Sequence, residues 1–528
     1  MKLRTLTITA LILASAIRAG AWDGEERDLR TVQLTTPQLM VSNPANMGFW
    51  SGRVATVEAF AEKGNGGMIS LEESPDCFTW GARTESYCRV SKLITFHGRL
   101  SWSHFNGKDM GGQVMMHPEL HPVNFLESTT ETTGIKKREL YDLCGGLSLN
   151  LGSAWSLGFN INYGAGDQTK IKDPRFSNIL TELDMSAGVA WRPSRNFTVG
   201  VSVLYRDLLE QVRGGIYGAT DKQYFIQIDR GGFIGTVEEL SGDYNFVSAS
   251  NYRPMDNRYK GASLQVILFE NFVNEFSYRK REGYYGKKAS NSPVFFEFNG
   301  IEASYDGVVL LPMRNSLHRL AVELDYSTLG NQENRPEWAT AENGSTTVIY
   351  KEPNSKLLKR TDKSAALDYR WMLGTSGIRP DMTIGLRGTY FSREQTTTIY
   401  PVYRKHSYSR IRGELFFEKV FHSGKMSFIP YLSGFFQTGK GTAKGDGSFV
   451  PNATSKLKSF DTYLERQFEY ETDPRAGGNV SFTATRAFSD KLEVYVKLSD
   501  SFTSLIYTPL YLSGRFRNIA TVSIGCNF

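Results

Sequence analysis

Seven histidines and a set of charged residues at alternating positions are the side chains of this 528-residue chain whose types and spacing could do chemistry. His117-Pro118-Glu119-Leu120-His121 holds the letters of a zinc site. Its spacing is not that of the helical H-E-x-x-H motif, and Pro118 and Pro122 oppose a helix there. His117 and His121 are therefore expected to be solvated loop histidines. His97 and His104 are an odd number of residues apart, so on a strand they face opposite sides and cannot share a site. No segment marks a Ser/His/Asp cluster converging at one rim. The expectation is of no catalytic residues, no metal and no cofactor.

The charges are more informative. Arg206, Glu275, Arg279, Arg281, Arg319, Glu323, Asp325, Asp368, Arg370, Arg387, Arg410, Arg412, Glu414, Glu493 and Lys497 alternate with apolar residues along extended runs. If the apolar face meets lipid, all of them project into a lumen. Both signs occur close together, so they are expected either to neutralise one another in a filled interior or to line a polar pore whose charge sets selectivity.

The elements that must position them are amphipathic strands. Leu157, Phe159, Ile161 and Tyr163 alternate with Ser156, Gly158, Asn160 and Asn162, and Leu492, Val494, Val496 and Leu498 with Glu493 and Lys497. The chain ends on the same pattern, with Val522, Ile524 and Phe528 as a closing-strand signal for the barrel-assembly machinery. Such runs last about 11 to 15 residues, where a spanning strand needs about 9 to 11 and a soluble strand averages about 5 to 6. Aromatics gather at the run ends, as in interfacial girdles. The fold predicted is all-β: a transmembrane antiparallel β-barrel of about 18 strands, with 14 as the lower bound, short periplasmic turns and long extracellular loops.

Eight short turns are read at Val90-Ser91, Ser153, Ser194 to Asn196, Glu270-Asn271, Pro312 to Asn315, Thr375 to Pro380, His422 to Lys425 and Ser489-Asp490. The outer loops follow as 108–137, 166–180, 209–258, 328–362, 393–407 and 439–473. The barrel is expected over 53–528, a plug or periplasmic segment over 22–52, and a signal peptide over 1–21. That leader has Lys2 and Arg4, an apolar run from Leu6 to Ile17, and an Ala19-Gly20-Ala21 cleavage site.

Hydrophobic content of 40% and a mean hydropathy of −0.34, with no later helix-spanning apolar run, exclude a helical membrane protein. The formal charge of +6 lies partly in the leader and leaves too little bias for nucleic acid. Of the four cysteines, Cys144 is expected to point inward and Cys526 outward. Cys77 and Cys88 could bridge only if the chain between them folded back.

Two family resemblances follow. Glu85-Ser86-Tyr87 to Lys92, Arg138-Glu139-Leu140-Tyr141 and Lys172-Asp173-Pro174-Arg175-Phe176 are similar to segments of a Bacteroidota family of outer-membrane barrels of unknown function. That resemblance implies the fold and the outer membrane, and no substrate. Asn43-Pro44-Ala45 resembles a triplet near the start of FadL-type transporters, which implies a hatch inside the barrel. Three functions are carried forward. One is passage or uptake of a small solute, alone or beside a TonB-dependent receptor. Another is a closed surface-display barrel whose loops bind a protein, such as a surface lipoprotein, or a glycan. The third is a FadL-type route for a hydrophobic substrate. Outer-membrane lipids are partners in each.

Overall fold

The computed structural model describes residues 28–528 except 128–129, 218–220, 241–246, 248–252, 290–291, 341, 343, 345, 376–378, 400–401, 448–456 and 490. The expected signal peptide lies outside the described residues.

Eighteen antiparallel strands close into one barrel. In chain order they are β1 Arg53–Asn65, β2 Asp76–Arg89, β3 Ile94–Met110, β4 Gly134–Leu151, β5 Trp155–Ile171 and β6 Arg175–Ser194. Then come β7 Phe197–Gly215, β8 Arg253–Leu268, β9 Phe272–Ala289, β10 Ser292–Met313, β11 Ser316–Thr340 and β12 Thr346–Leu373. The last six are β13 Met382–Ile399, β14 Val402–Lys419, β15 Met426–Asp446, β16 Arg475–Ser489, β17 Leu492–Leu505 and β18 Phe516–Asn527. Each strand pairs with the next, and β18 returns to β1 in register from Thr56 opposite Asn527 to Asn65 opposite Asn518. Closure leaves no unpaired edge in lipid, the condition for spanning a membrane with strands. No described helix is long and apolar enough to cross one, which says nothing of strands.

The faces follow the alternation. Phe159, Val203, Phe276, Leu324, Leu367, Leu415, Phe482, Leu498 and Ile524 stand exposed on the outside, while the alternate residues turn inward. At the short-turn rim Phe269 and Glu270 both take left-handed backbone (φ 55° and 57°), the geometry of a type I′ turn that matches strand twist. Gly424 serves the turn before β15 with φ 60°.

The long-loop rim departs from the sequence reading. Residues expected as outer loops at 166–180, 328–362 and 393–407 are largely strand: β5 runs to Ile171, β11 to Thr340 and β13 to Ile399. Beyond the apolar band both faces of a strand are polar, so the alternation that marks it disappears although its ladder continues. Much of the described part of the remaining loops turns inward. Asn124–Glu127, Phe225–Asp229, Ile234–Glu239 and Leu457–Ser459, from three separate loops, form a four-stranded sheet. With helix Asp461–Thr472 (the second of two α-helices among the described residues, the first being Leu29–Thr35) it caps the lumen. Phe125, Ile226, Ile228 and Leu240 of the cap pack on wall residues Val212, Tyr285, Phe296 and Leu358 in one apolar core. Each such side chain contributes about 1.5–3 kcal/mol on burial.

Candidate functional site

The opposite end of the lumen is occupied by residues 28–50. After the first helix the chain makes two short 3₁₀ turns, Pro37–Leu39 and Pro44–Phe49, and the second lies against β4, β5 and β6. Asn43 begins that turn: its Oδ1 accepts from Ala45 N at 3.0 Å, and Pro44 follows at a position where its missing N–H costs nothing. The other end of the same amide holds the wall. Asn43 Nδ2 donates to Val189 O (3.2 Å), Val201 O (3.3 Å) and Gln265 Oε1 (3.0 Å). Ser148 Oγ donates to Ala45 O at 3.1 Å and Asn150 Nδ2 to Gly48 O at 2.6 Å. The wall is cut back to fit. A Cβ on Gly158 would sit 2.1 Å from Ala45 N, and one on Gly188 would sit 2.2 Å from Asn43 Oδ1. Asn43-Pro44-Ala45, the expected hatch, thus sits in a cradle of small wall residues.

The inward charges divide into paired and unpaired sets. Glu275 holds the hatch, accepting from Ser42 N at 2.8 Å. Arg206 pairs with Glu182 (2.7 Å), and Arg279 lies 3.9 Å from Asp184. Asp368 bridges Arg319 (3.4 Å) and Arg370 (2.7 Å). Arg412 pairs with Glu414 at 2.9 Å, and Arg410 with Glu471. Glu493 receives Arg379 at 2.6 Å, which also reaches Asp28 at the start of the hatch at 3.1 Å. Arg281 donates to Leu120 O of the cap and, at 3.1 Å, to Asn257 Oδ1. Asp325 accepts from Ser364 at 2.7 Å. Glu323 and Arg387 face the lumen without an ion pair among the described residues. Lys497 lines one large lumen cavity, about 920 Å³, together with Glu58, Arg83, Arg99 and the Asp28–Leu34 segment. The second, about 540 Å³, follows along β13–β18 towards the cap.

Where the cap meets the wall, one buried carboxylate ties a loop to two strands. Glu210 accepts from Met116 N (2.6 Å), Asn178 Nδ2 (2.7 Å) and His121 Nε2 (3.1 Å). His121, expected in solvent, is therefore fully buried with its partner. Its pattern of flanking prolines ruled out a helix and gave no sign that the loop turns inward. Burial pushes the His121 imidazole below its usual value. His117 sits 3.4 Å from Glu119. Lys170 and Glu127 form a second buried pair at 2.5 Å, and Arg404 grips Asp446 with two 2.8 Å bonds and donates to Gly232 O at 2.8 Å.

Asp229 gives the cap a pH dependence. Burial raises its carboxyl to about 7, although Gly231 N donates to it at 2.9 Å. The fold thus prefers the neutral acid: its contribution is present in full below pH about 4 and is lost as pH rises through about 7. His121 has the opposite sign, weakening the cap on acidification. The comparison is therefore between wild type and Asp229→Asn. The variant's cap should gain protease resistance relative to wild type as pH rises from 4 to 8, whereas a constant difference would contradict the assignment.

One constellation has no sequence signal. His97 Nε2 lies 3.1 Å from Glu85 Oε1, and its Nδ1 lies 3.7 Å from Cys144 Sγ. The three residues come from β2, β3 and β4, and only the ladder register brings them together. A thiol, an imidazole and a carboxylate in series is how cysteines are activated. Glu85 lines the first cavity, but neither His97 nor Cys144 does, and the thiol is also engaged by Asn160 Oδ1 at 3.3 Å. The cluster reads as a wall bond beside the hatch. His104 faces the other way, against Trp80. All four cysteines are free thiols, Cys77 and Cys88 lying on β2. Among the described residues no three His, Cys, Asp or Glu side chains are placed to hold a metal ion.

Together these features define an outer-membrane-type β-barrel whose lumen is occupied at both ends by its own chain. The chain belongs to a family of unknown function (DUF6850), whose model matches residues 44–528, the second hatch turn and the whole barrel. No curated protein matches it. Among solved structures it is similar to BauA, the ferric preacinetobactin receptor from Acinetobacter baumannii. That match has 10% identity and a TM-score of 0.35, and covers 90% of this chain and 80% of that one. It is also similar to the RagAB peptide transporter (8% identity, 90% and 74% covered, TM-score 0.36). A third is a TodX monoaromatic hydrocarbon channel mutant (9%, 92% and 92%, TM-score 0.30).

Proposed function

We propose that the protein is a bacterial outer-membrane barrel through which a small polar solute passes when its plug yields, and that it is not an enzyme. The observation that supports this reading is the charge-lined cavity of about 920 Å³ between the hatch and the wall, continued along the same strands by a second. A barrel serving only as a scaffold has no use for solvent-sized space bounded by Glu58, Arg83, Arg99 and Lys497. An accessory relation to a TonB-dependent receptor belongs to the same reading, and co-purification from native membranes tests it.

Swelling of proteoliposomes in small polar solutes tests the conduit. Wild type should swell slowly. A chain lacking residues 28–50 and carrying Glu210→Ala to loosen the cap should swell several-fold faster. If that variant is as tight as protein-free vesicles, the lumen is no conduit. The display reading then takes its place, and the apolar core beneath the loops already favours it. The FadL-type reading has its turn at Asn43-Pro44-Ala45, but the space beside it is lined with charges, among them Glu58, Arg83, Arg99 and Lys497.

A further inference from the structure

The second cavity, beneath helix Asp461–Thr472, collects five guanidinium groups: Arg387, Arg410, Arg412, Arg475 and Arg517. Elsewhere in the lumen Arg206, Arg319, Arg370 and Arg379 are each matched to a carboxylate, whereas Arg281 donates to neutral oxygens. Here only Arg410 and Arg412 are, through Glu471 and Glu414. Among the described residues Arg387, Arg475 and Arg517 have no carboxylate oxygen within 4.0 Å. Asp368 and Glu414 stand opposite Arg387 on the neighbouring strands, but both are already engaged by other arginines. Arg475 lies over the Tyr470 ring, 5.0 Å from its centroid, and with the Gln437 amide oxygen turned towards it donates at 2.5 and 3.0 Å. Arg517 donates to Ser74 O (2.7 Å) and Cys77 Sγ (3.3 Å), while its buried Nε meets nothing. These are neutral partners. They orient a guanidinium without cancelling its charge.

Glu73 also lines the cavity, and Asp473 lies near Arg475. They leave the chamber with an excess of positive charge. Unmatched guanidiniums sharing an enclosed space repel one another, and an anion accepting from several of them would relieve that repulsion with charge-assisted bonds. We propose that this chamber is an anion site, taking a small solute bearing carboxylate, phosphate or sulfate groups. The volume, about 540 Å³, suits such a ligand. The proposal rests on reading the lumen as a solute compartment and names the class of solute.

The test is calorimetric titration of the full chain in detergent micelles with inorganic phosphate, sulfate and succinate, glucose serving as the neutral control. Thermal melts in the same solutions accompany it. At least one anion should bind wild type, more weakly as sodium chloride is added, and should raise its melting temperature. Arg387→Gln breaks no hydrogen bond or ion pair of the described residues, only a longer-range attraction to Asp368, so it should fold, melt close to wild type and bind that anion about tenfold or more weakly. Lys425→Gln, in the short turn before β15 and outside both cavities, should bind as wild type does. No heat or melting shift beyond glucose, or equal binding by Arg387→Gln, overturns the anion site. Binding in micelles does not require passage. Binding without proteoliposome flux would keep the site and remove the conduit, and flux without binding would do the reverse.

Discussion

Replacing Gly158 with valine should expel the hatch from the barrel while leaving the barrel itself closed. The new Cβ would stand 2.1 Å from Ala45 N and 2.3 Å from Pro44 C, and both are backbone atoms that cannot rotate away. Either β5 must bend, against a complete ladder on both sides, or residues 43–48 must leave. The hatch is the weaker party. It is held by the Asn43, Ala45, Gly48 and Ser42 hydrogen bonds, each worth about 1 kcal/mol net, against the entropy of ordering a chain end. An overpacked site costs about 1–3 kcal/mol, comparable to what holds the segment. Limited proteolysis reads the result. Wild type should resist cleavage between 28 and 50, the variant should be cut there, and the folded barrel's heat-modifiable gel mobility should not change. Gly413→Val is the control, since nothing lies within 4 Å of its new Cβ. Equal resistance of Gly158→Val and wild type would mean that the cradle does not seat the hatch.

Glu210→Ala should loosen the cap at the other end. Removing this carboxylate strands the buried Met116 N and His121 Nε2 and leaves Asn178 Nδ2 with Val114 O alone. Losing one member of such a cluster costs about 3–5 kcal/mol. The loss falls on the contact between loop residues 111–123 and the wall, so hydrogen exchange there should accelerate by orders of magnitude while exchange in β14–β18 stays slow. Glu210→Gln keeps an acceptor and should fall between. Exchange in 111–123 as slow as in wild type would show that the apolar core alone secures the cap.

The barrel could be read from the sequence because lipid imposes one rule on every spanning strand: apolar residues outside, on every second position. That rule placed the turns, the closing strand and the inward parity of Arg206, Glu323, Arg412 and Lys497. It fails above the membrane, where β11 and β12 continue as a hairpin with no apolar face to mark them. It is silent on pairs such as Lys170 with Glu127 and on Glu85, His97 and Cys144, which meet only through folding of the cap or strand register. The cap gave one faint sign. Phe125-Leu126 and Ile226 to Ile228 are short apolar runs inside polar loops, too short to tell a buried strand from a surface turn. The Asn43-Pro44-Ala45 turn can be picked out in the sequence, but its seat, Gly158 and Gly188, is recognisable only once the strands are in register.

The protein's own chain occupies the lumen at both ends, and single-channel recording of the refolded full chain in a planar bilayer tests most directly whether it shuts the barrel. The structure predicts silence broken at most by brief openings, and stable conductance steps once residues 28–50 are removed and Glu210→Ala loosens the cap. Steady conductance from the unmodified chain would contradict the account, because it would mean that neither the hatch nor the inward-folded loops close the barrel.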